Sequence, residues 1–183
     1  MNDILRALWF FAPAGLANVA PVLANKIPIL KLWNTPLDFG LKFRGKRLLG
    51  DNKRIRGIVA GVLLATLIVW LQQVWFDHSA WARSISYLDY DDIHIWAIGS
   101  LMGLGALLGD AVESFFKRQA NVPPGHRWVP FDQLDYIIGG LLLTLPWVHL
   151  AIRSYLWIFV VFFGLHLLMS YIGFLLHLKD TPI

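Results

Sequence analysis

The sequence predicts an all-α, polytopic membrane protein of about five transmembrane helices with catalytic loops on the cytoplasmic side. Three observations predict it. Hydrophobic residues make up 57% of the 183 residues and charged residues only 15%, whereas a soluble domain carries about 25% charge. Mean hydropathy is +0.56. Nine Trp, twelve Phe and five Tyr suit the aromatic belts of a membrane protein, which sit at headgroup level. Cys is absent, so disulfides and thiolate metal sites are excluded.

Segments of about 20 mostly apolar residues occur at roughly 4–24, 56–76, 93–116, 132–151 and 154–178. The first contains Pro13 and Pro21, which are expected to break it. It reads as a retained span: a signal cut after Ala20 would place Pro21 next and Asn18 at the −3 position. The second and fifth are continuous apolar runs. The third and fourth carry acids. Gly99, Gly103, Gly105 and Gly109 in the third, and Gly139 and Gly140 in the fourth, suit close helix packing in lipid. The whole chain, 1–183, reads as one membrane-embedded domain without internal repeat.

The basic residues set the expected orientation. Arg6, Arg83 and Arg153 fall on one side of the membrane, and every other Lys and Arg on the opposite side. The positive-inside rule then puts the N-terminus outside and the C-terminus, with Lys179, in the cytoplasm of a cell whose inner membrane holds the protein. The outer loop 77–92 is acidic, with Asp77, Asp89, Asp91 and Asp92. Chemistry is expected at the cytoplasmic loops 25–55 and 117–131.

Carboxylates inside a span are costly and point to function. Asp110 and Glu113 lie near the cytoplasmic end of the third span, and Asp132 and Asp135 at the start of the fourth. Each pair is spaced i, i+3, so each presents its oxygens on one helix face. The short connection makes the two helices neighbours. Four converging acids repel unless a cation lies between them, and oxygen-only ligands favour Mg²⁺. The plainer alternative is acids resting at helix ends in the headgroup layer. Ser114, Lys117 and Arg118 follow on the same helix end, and acids beside Lys and Arg suit a triphosphate.

A second polar stretch, LDFGLKFRGKRLLGDNKRIRG at 37–57, punctuates basic residues with glycines. Such a loop offers N–H groups and cations to anions, and its composition equally suits anionic lipid headgroups. It contains no Walker A motif. The six histidines show no H-x-x-x-H spacing, and no nucleophile elbow or G-x-G-x-x-G occurs. His166 and His177 lie eleven apart on the fifth span and read as packed or interfacial residues.

Four stretches in order carry a family resemblance: PAGLANVAP at 13–21, PLDFGLKFRGKRLLGDNKRIRG at 36–57, LLGDAVESFFKR at 107–118 and VPFDQLDYIIGG at 129–140. Together they resemble the CDP-archaeol synthase family, membrane cytidylyltransferases related to CDP-diacylglycerol synthases. Asn52 departs from the family pattern where Gly is expected, and Arg54-Ile55 where Thr-Trp is expected. The resemblance implies transfer of CMP from CTP to a lipid phosphate, giving a CDP-lipid and pyrophosphate. It implies that Asp110, Asp132 and Asp135 hold one or two Mg²⁺, and that Lys117 and Arg118 neutralise the triphosphate. Ser114 would donate to phosphate or ligate metal. Asp38, Lys46, Asp51, Lys53 and Arg56 would close the first loop over the nucleotide or lipid phosphate.

Expected partners are therefore CTP, a lipid phosphate and the surrounding membrane lipid, with no nucleic acid. The rival reading is a small ion or solute transporter, or a scaffold, with interfacial acids. Against it, the acids gather at one end of the membrane, away from the midplane where transporters bind.

Overall fold

The structure, a computed structural model, describes residues 2–176; His177 and Lys179 lie outside the described residues. Four helices are long and apolar enough to cross a membrane: α1 (Asn2–Ala24), α3 (Ile55–His78), α5 (Ile95–Gln119) and α7 (Ile152–Leu175). At about 1.5 Å per residue each exceeds the roughly 30 Å hydrocarbon layer. Between them stand α2 (Pro28–Leu32), a small hairpin of β1 (Lys42–Phe43) and β2 (Lys46–Arg47), α4 (Ala80–Ile85) and α6 (Phe131–Thr144).

Two expectations are corrected. Pro13 and Pro21 do not break α1, which runs through both. A membrane helix tolerates proline where neighbouring helices and side chains satisfy the freed backbone. The fourth span is shorter than 132–151: α6 stops at Thr144. Pro146 is the cause, since it has no N–H to donate to the Leu142 carbonyl and so ends the helical ladder after Leu145. The irregular segment that follows is satisfied locally: the Tyr155 hydroxyl donates to the Val148 carbonyl and accepts from the Leu150 N–H, both at 3.2 Å.

Glycines bring the helices to backbone contact. A Cβ on Gly105 would lie 2.5 Å from the Gly139 carbonyl oxygen, and one on Gly109 would run into the Asp135 carbonyl. Gly99 packs on Thr66 and Gly103 on the Gly61 carbonyl, joining α5 to α3. Gly15 faces the Phe162 ring, joining α1 to α7. Small residues permit this approach, and in lipid close packing replaces the hydrophobic drive. The core between them is apolar, with Phe11, Met102, Ile137 and Ile158 fully buried.

At the N-terminal end of α1, Asp3 pairs with Arg153 at 2.7 Å and Arg6 donates to the Ser84 carbonyl. The opposite end carries the two long connections, 25–54 and 120–130, and the polar cavity.

Candidate active site

The first connection is a folded element. Asp38 is buried and accepts hydrogen bonds from Arg47 and from the N–H groups of Gly40, Leu49 and Gly50, all within 3.3 Å. Burial opposes its charge. The Arg47 guanidinium and the three N–H groups outweigh that, holding the carboxyl well below the usual carboxylate range. Gly40, Gly45 and Gly50 take positive φ, the left-handed turns that let the chain curl around this carboxylate. Lys46 Nζ donates to the Gln119 carbonyl at 2.7 Å and ties the hairpin to the end of α5. Arg56 is buried and donates to the carbonyls of Leu30, Lys31 and Trp33 and to the Asn25 side chain. An antiparallel bridge between Pro36 and Arg54, with the Leu37 N–H on the Lys53 carbonyl at 2.8 Å, pins the loop's two ends together.

That pinning aims Lys53 at α5: its Nζ lies 2.5 Å from Asp110 Oδ2. Across the helix pair, the glycine contact at Gly109 brings the start of α6 against the end of α5. One carboxylate oxygen from each of Asp110, Glu113 and Asp135 falls within 4.8 Å of the others. Asp132 stands at the edge of this cluster: it accepts from the Trp128 N–H at 2.8 Å, pairs with Lys117 and lies against Glu113. Lys117 Nζ also lies 3.0 Å from Glu113, so it stands between the two acids. Asp135 forms no ion pair among the described residues.

These groups line one cavity of about 1080 Å³. Of the residues expected from sequence, Asp110, Ser114, Lys117, Arg118, Asp132, Asp135, Asp51 and Lys53 all face it. Asp38, Lys46 and Arg56 do not; they build the loop that holds Asp51 and Lys53 in place. Of the expected metal set, Asp110 and Asp135 lie together with Glu113, whereas Asp132 pairs with Lys117 and lies against Glu113. A set of carboxylate oxygens without nitrogen or sulfur fits a hard dication such as Mg²⁺. Arg118 also lines the cavity, and its buried Nε has no hydrogen-bond partner among the described residues.

Sequence reasoning passed over several lining residues: Asn18 of α1, Asn25 just after it, His126 and Arg127 of the second connection, and His166 of α7. The available signal was polarity inside an apolar run. Asn18 interrupts the first apolar segment, and His166 interrupts a continuous apolar span.

The fold and the cavity define a membrane-embedded enzyme whose site sets carboxylates against lysines and arginine. Residues 1–183 match the family model "CarS-like: CDP-archaeol synthase". A CDP-archaeol synthase of Pyrococcus furiosus is 35% identical over 148 residues, 80% of this chain and 78% of the relative. One from Pyrococcus abyssi is 31% identical over 183 residues, 100% of this chain and 99% of the relative. A solved structure of an intramembrane enzyme for archaeal membrane lipid biosynthesis superimposes with a TM-score of 0.72 at 27% identity. It covers 91% of this chain and 94% of its own. The chain belongs to the CDP-archaeol synthase family. It is accordingly a CTP-dependent, CDP-lipid-forming enzyme, and the transporter or scaffold reading finds no support.

Proposed function

We propose that the cavity transfers CMP from CTP to a lipid phosphate carrying archaeol-type isoprenoid ether chains, with Mg²⁺ as cofactor and the site at the cytoplasmic face of the cell membrane. The relatives named as CDP-archaeol synthases support the acceptor. The distribution of Lys and Arg supports the orientation. The observation that carries the chemistry is the Asp110–Glu113–Asp135 cluster lying in one cavity with Lys53, Lys117 and Arg118.

A lipid phosphate oxygen bonds to the α-phosphorus of CTP, and the bond from that phosphorus to the bridging oxygen breaks, releasing pyrophosphate. No general base is needed, because the phosphomonoester is already anionic at neutral pH. Such transfer rests on positioning and charge neutralisation. Asp110, Glu113 and Asp135 would hold the Mg²⁺, which when bound offsets the negative charge of the polyphosphate. Lys53, Lys117 and Arg118 place cationic donors around the triphosphate. Ser114, buried at the cavity wall, donates to a phosphate oxygen. Asp132 orients Lys117 from the far side of its ammonium.

The test supplies purified protein with CTP labelled at the α-phosphate, Mg²⁺ and three acceptors: an archaeol-type ether lipid phosphate, phosphatidic acid and a polyprenyl phosphate. Label is expected in the organic phase with the ether lipid, pyrophosphate in the water, and neither after EDTA. Label remaining in water with every lipid overturns the reading. Release of CDP in place of pyrophosphate overturns it in favour of phosphoryl transfer.

A further inference from the structure

The cavity has two chemically different walls. One, from the first connection, α5 and α6, carries the charged groups. The other comes from α1, the turn after it and α7, and carries no acidic, lysine or arginine side chain: it consists of Asn18, Pro21, Val22, Asn25 and His166. Asn18 and Val22 fall at i and i+4, one face of α1, and Asn25 follows in the turn after it. The neighbouring faces of both helices are lipid-directed, with Val19, Leu23, Leu168 and Met169 exposed.

His166 is held in place by α6. The Tyr136 hydroxyl donates to the Phe162 carbonyl at 3.0 Å, one turn before His166, and the Tyr136 ring lies 6.0 Å from the imidazole. Tyr136 directly follows Asp135, so one residue pair of α6 sets both the carboxylate and the imidazole. Two polar side chains on lipid-facing helices, both turned into a cavity, mark a substrate path.

Resting on the CMP-transfer reading above, we infer that Asn18 and His166 form the subsite for the phosphate headgroup of the lipid acceptor, which enters between α1 and α7. CTP is water-soluble and needs the charged wall. The acceptor keeps its chains in the bilayer, so its phosphate arrives from the lipid side and meets this wall first. An amide and an imidazole donate hydrogen bonds to phosphate oxygens without adding an acid that would repel them.

The experiment measures steady-state kinetics in mixed micelles with an archaeol-type ether lipid phosphate, together with equilibrium binding of labelled CTP in Mg²⁺. His166→Ala and Asn18→Ala are each expected to raise KM for the lipid about tenfold, the loss of one hydrogen bond to a charged group. CTP affinity is expected to stay within about twofold. His166→Gln, which keeps a donor, recovers part of the lipid KM. Asn18→Ala, on the opposite helix, keeps the test intact where a His166 variant fails to fold. An unchanged lipid KM in folded variants, or CTP affinity falling as far as lipid affinity, overturns the subsite. Wild-type protein that forms no CDP-lipid at all overturns the CMP-transfer reading itself and the subsite with it.

Discussion

Gly109 lies against the backbone carbonyl of Asp135, so close that a methyl group on Gly109 would overlap that oxygen. Gly109 immediately precedes Asp110, so this one contact sets the spacing of two carboxylates on different helices. Helix packing and site geometry are the same fact here. Gly109→Ala is expected to push α5 from α6, costing about 1–3 kcal/mol of stability as overpacking does. Turnover should fall further than stability alone explains, because the carboxylates separate. Thermal melts in detergent and CDP-lipid formation measure both. Gly164→Ala is the control: a Cβ there meets open space, and both readings should be unchanged.

Asp135 is the acid of the cluster without an ion-pair partner among the described residues, and its carboxylate lies with those of Asp110 and Glu113. Lys53 already balances Asp110, and Lys117 balances Glu113. Asp135→Asn keeps the size and removes the charge. Turnover is expected to fall roughly 100-fold or more, the scale of losing one placed electrostatic group. The melting temperature should hold or rise, since a carboxylate crowded by others is relieved. Activity near wild type would remove Asp135 from the metal set.

The two acid pairs, the glycine-rich faces and the span pattern were legible in the sequence because each follows a fixed helical period. Which acids meet was not. Spacing places Asp132 and Asp135 on one face of α6, but only the packing at Gly109 decides that Asp135 joins Asp110 and Glu113 while Asp132 meets Lys117. Arg56 shows the same limit. Its charge beside a basic loop suggests anion binding, whereas in the fold it satisfies the carbonyls at the end of α2. Pro146 was a readable stop signal for α6. Pro13 and Pro21 were misleading ones, because a buried membrane helix absorbs them through its neighbours. His166 and Asn18 stood out only as single polar residues, and their convergence is a tertiary fact.

Lys117 stands between Glu113 and Asp132, mostly buried. Removing it leaves two carboxylates facing each other without a cation. Lys117→Met is therefore expected to destabilise the protein by about 3–5 kcal/mol, as breaking a buried pair does. It should also raise KM for CTP, as loss of a phosphate donor requires. Lys117→Arg keeps the charge and should recover stability more than activity, because the broader guanidinium does not place a point charge at the same position. Melting curves and CTP titrations separate the two effects. An unchanged KM for CTP in Lys117→Met would return Lys117 to a structural role.

Asp38 organises the first connection, and its ionisation is the basis of a pH prediction. Its carboxyl is depressed in the folded protein from an ordinary value of 3.8, because Arg47 and three backbone N–H groups outweigh the burial. A group depressed on folding contributes stability that is present above its unfolded pKa and is lost as pH falls toward the folded value. The loop should therefore loosen below about pH 4, whereas it holds at neutral pH. Asp38→Asn removes the charge that Arg47 and the N–H groups face, costing about 1–3 kcal/mol at neutral pH. In detergent at neutral pH, trypsin should cut that variant faster at Lys42, Arg44, Lys46 and Arg47. Lys53 should lose its hold on Asp110 at the same time, so CTP affinity falls together with protease resistance. Loop cleavage at the wild-type rate with weakened CTP binding would instead make Asp38 a direct ligand, against its burial away from the cavity.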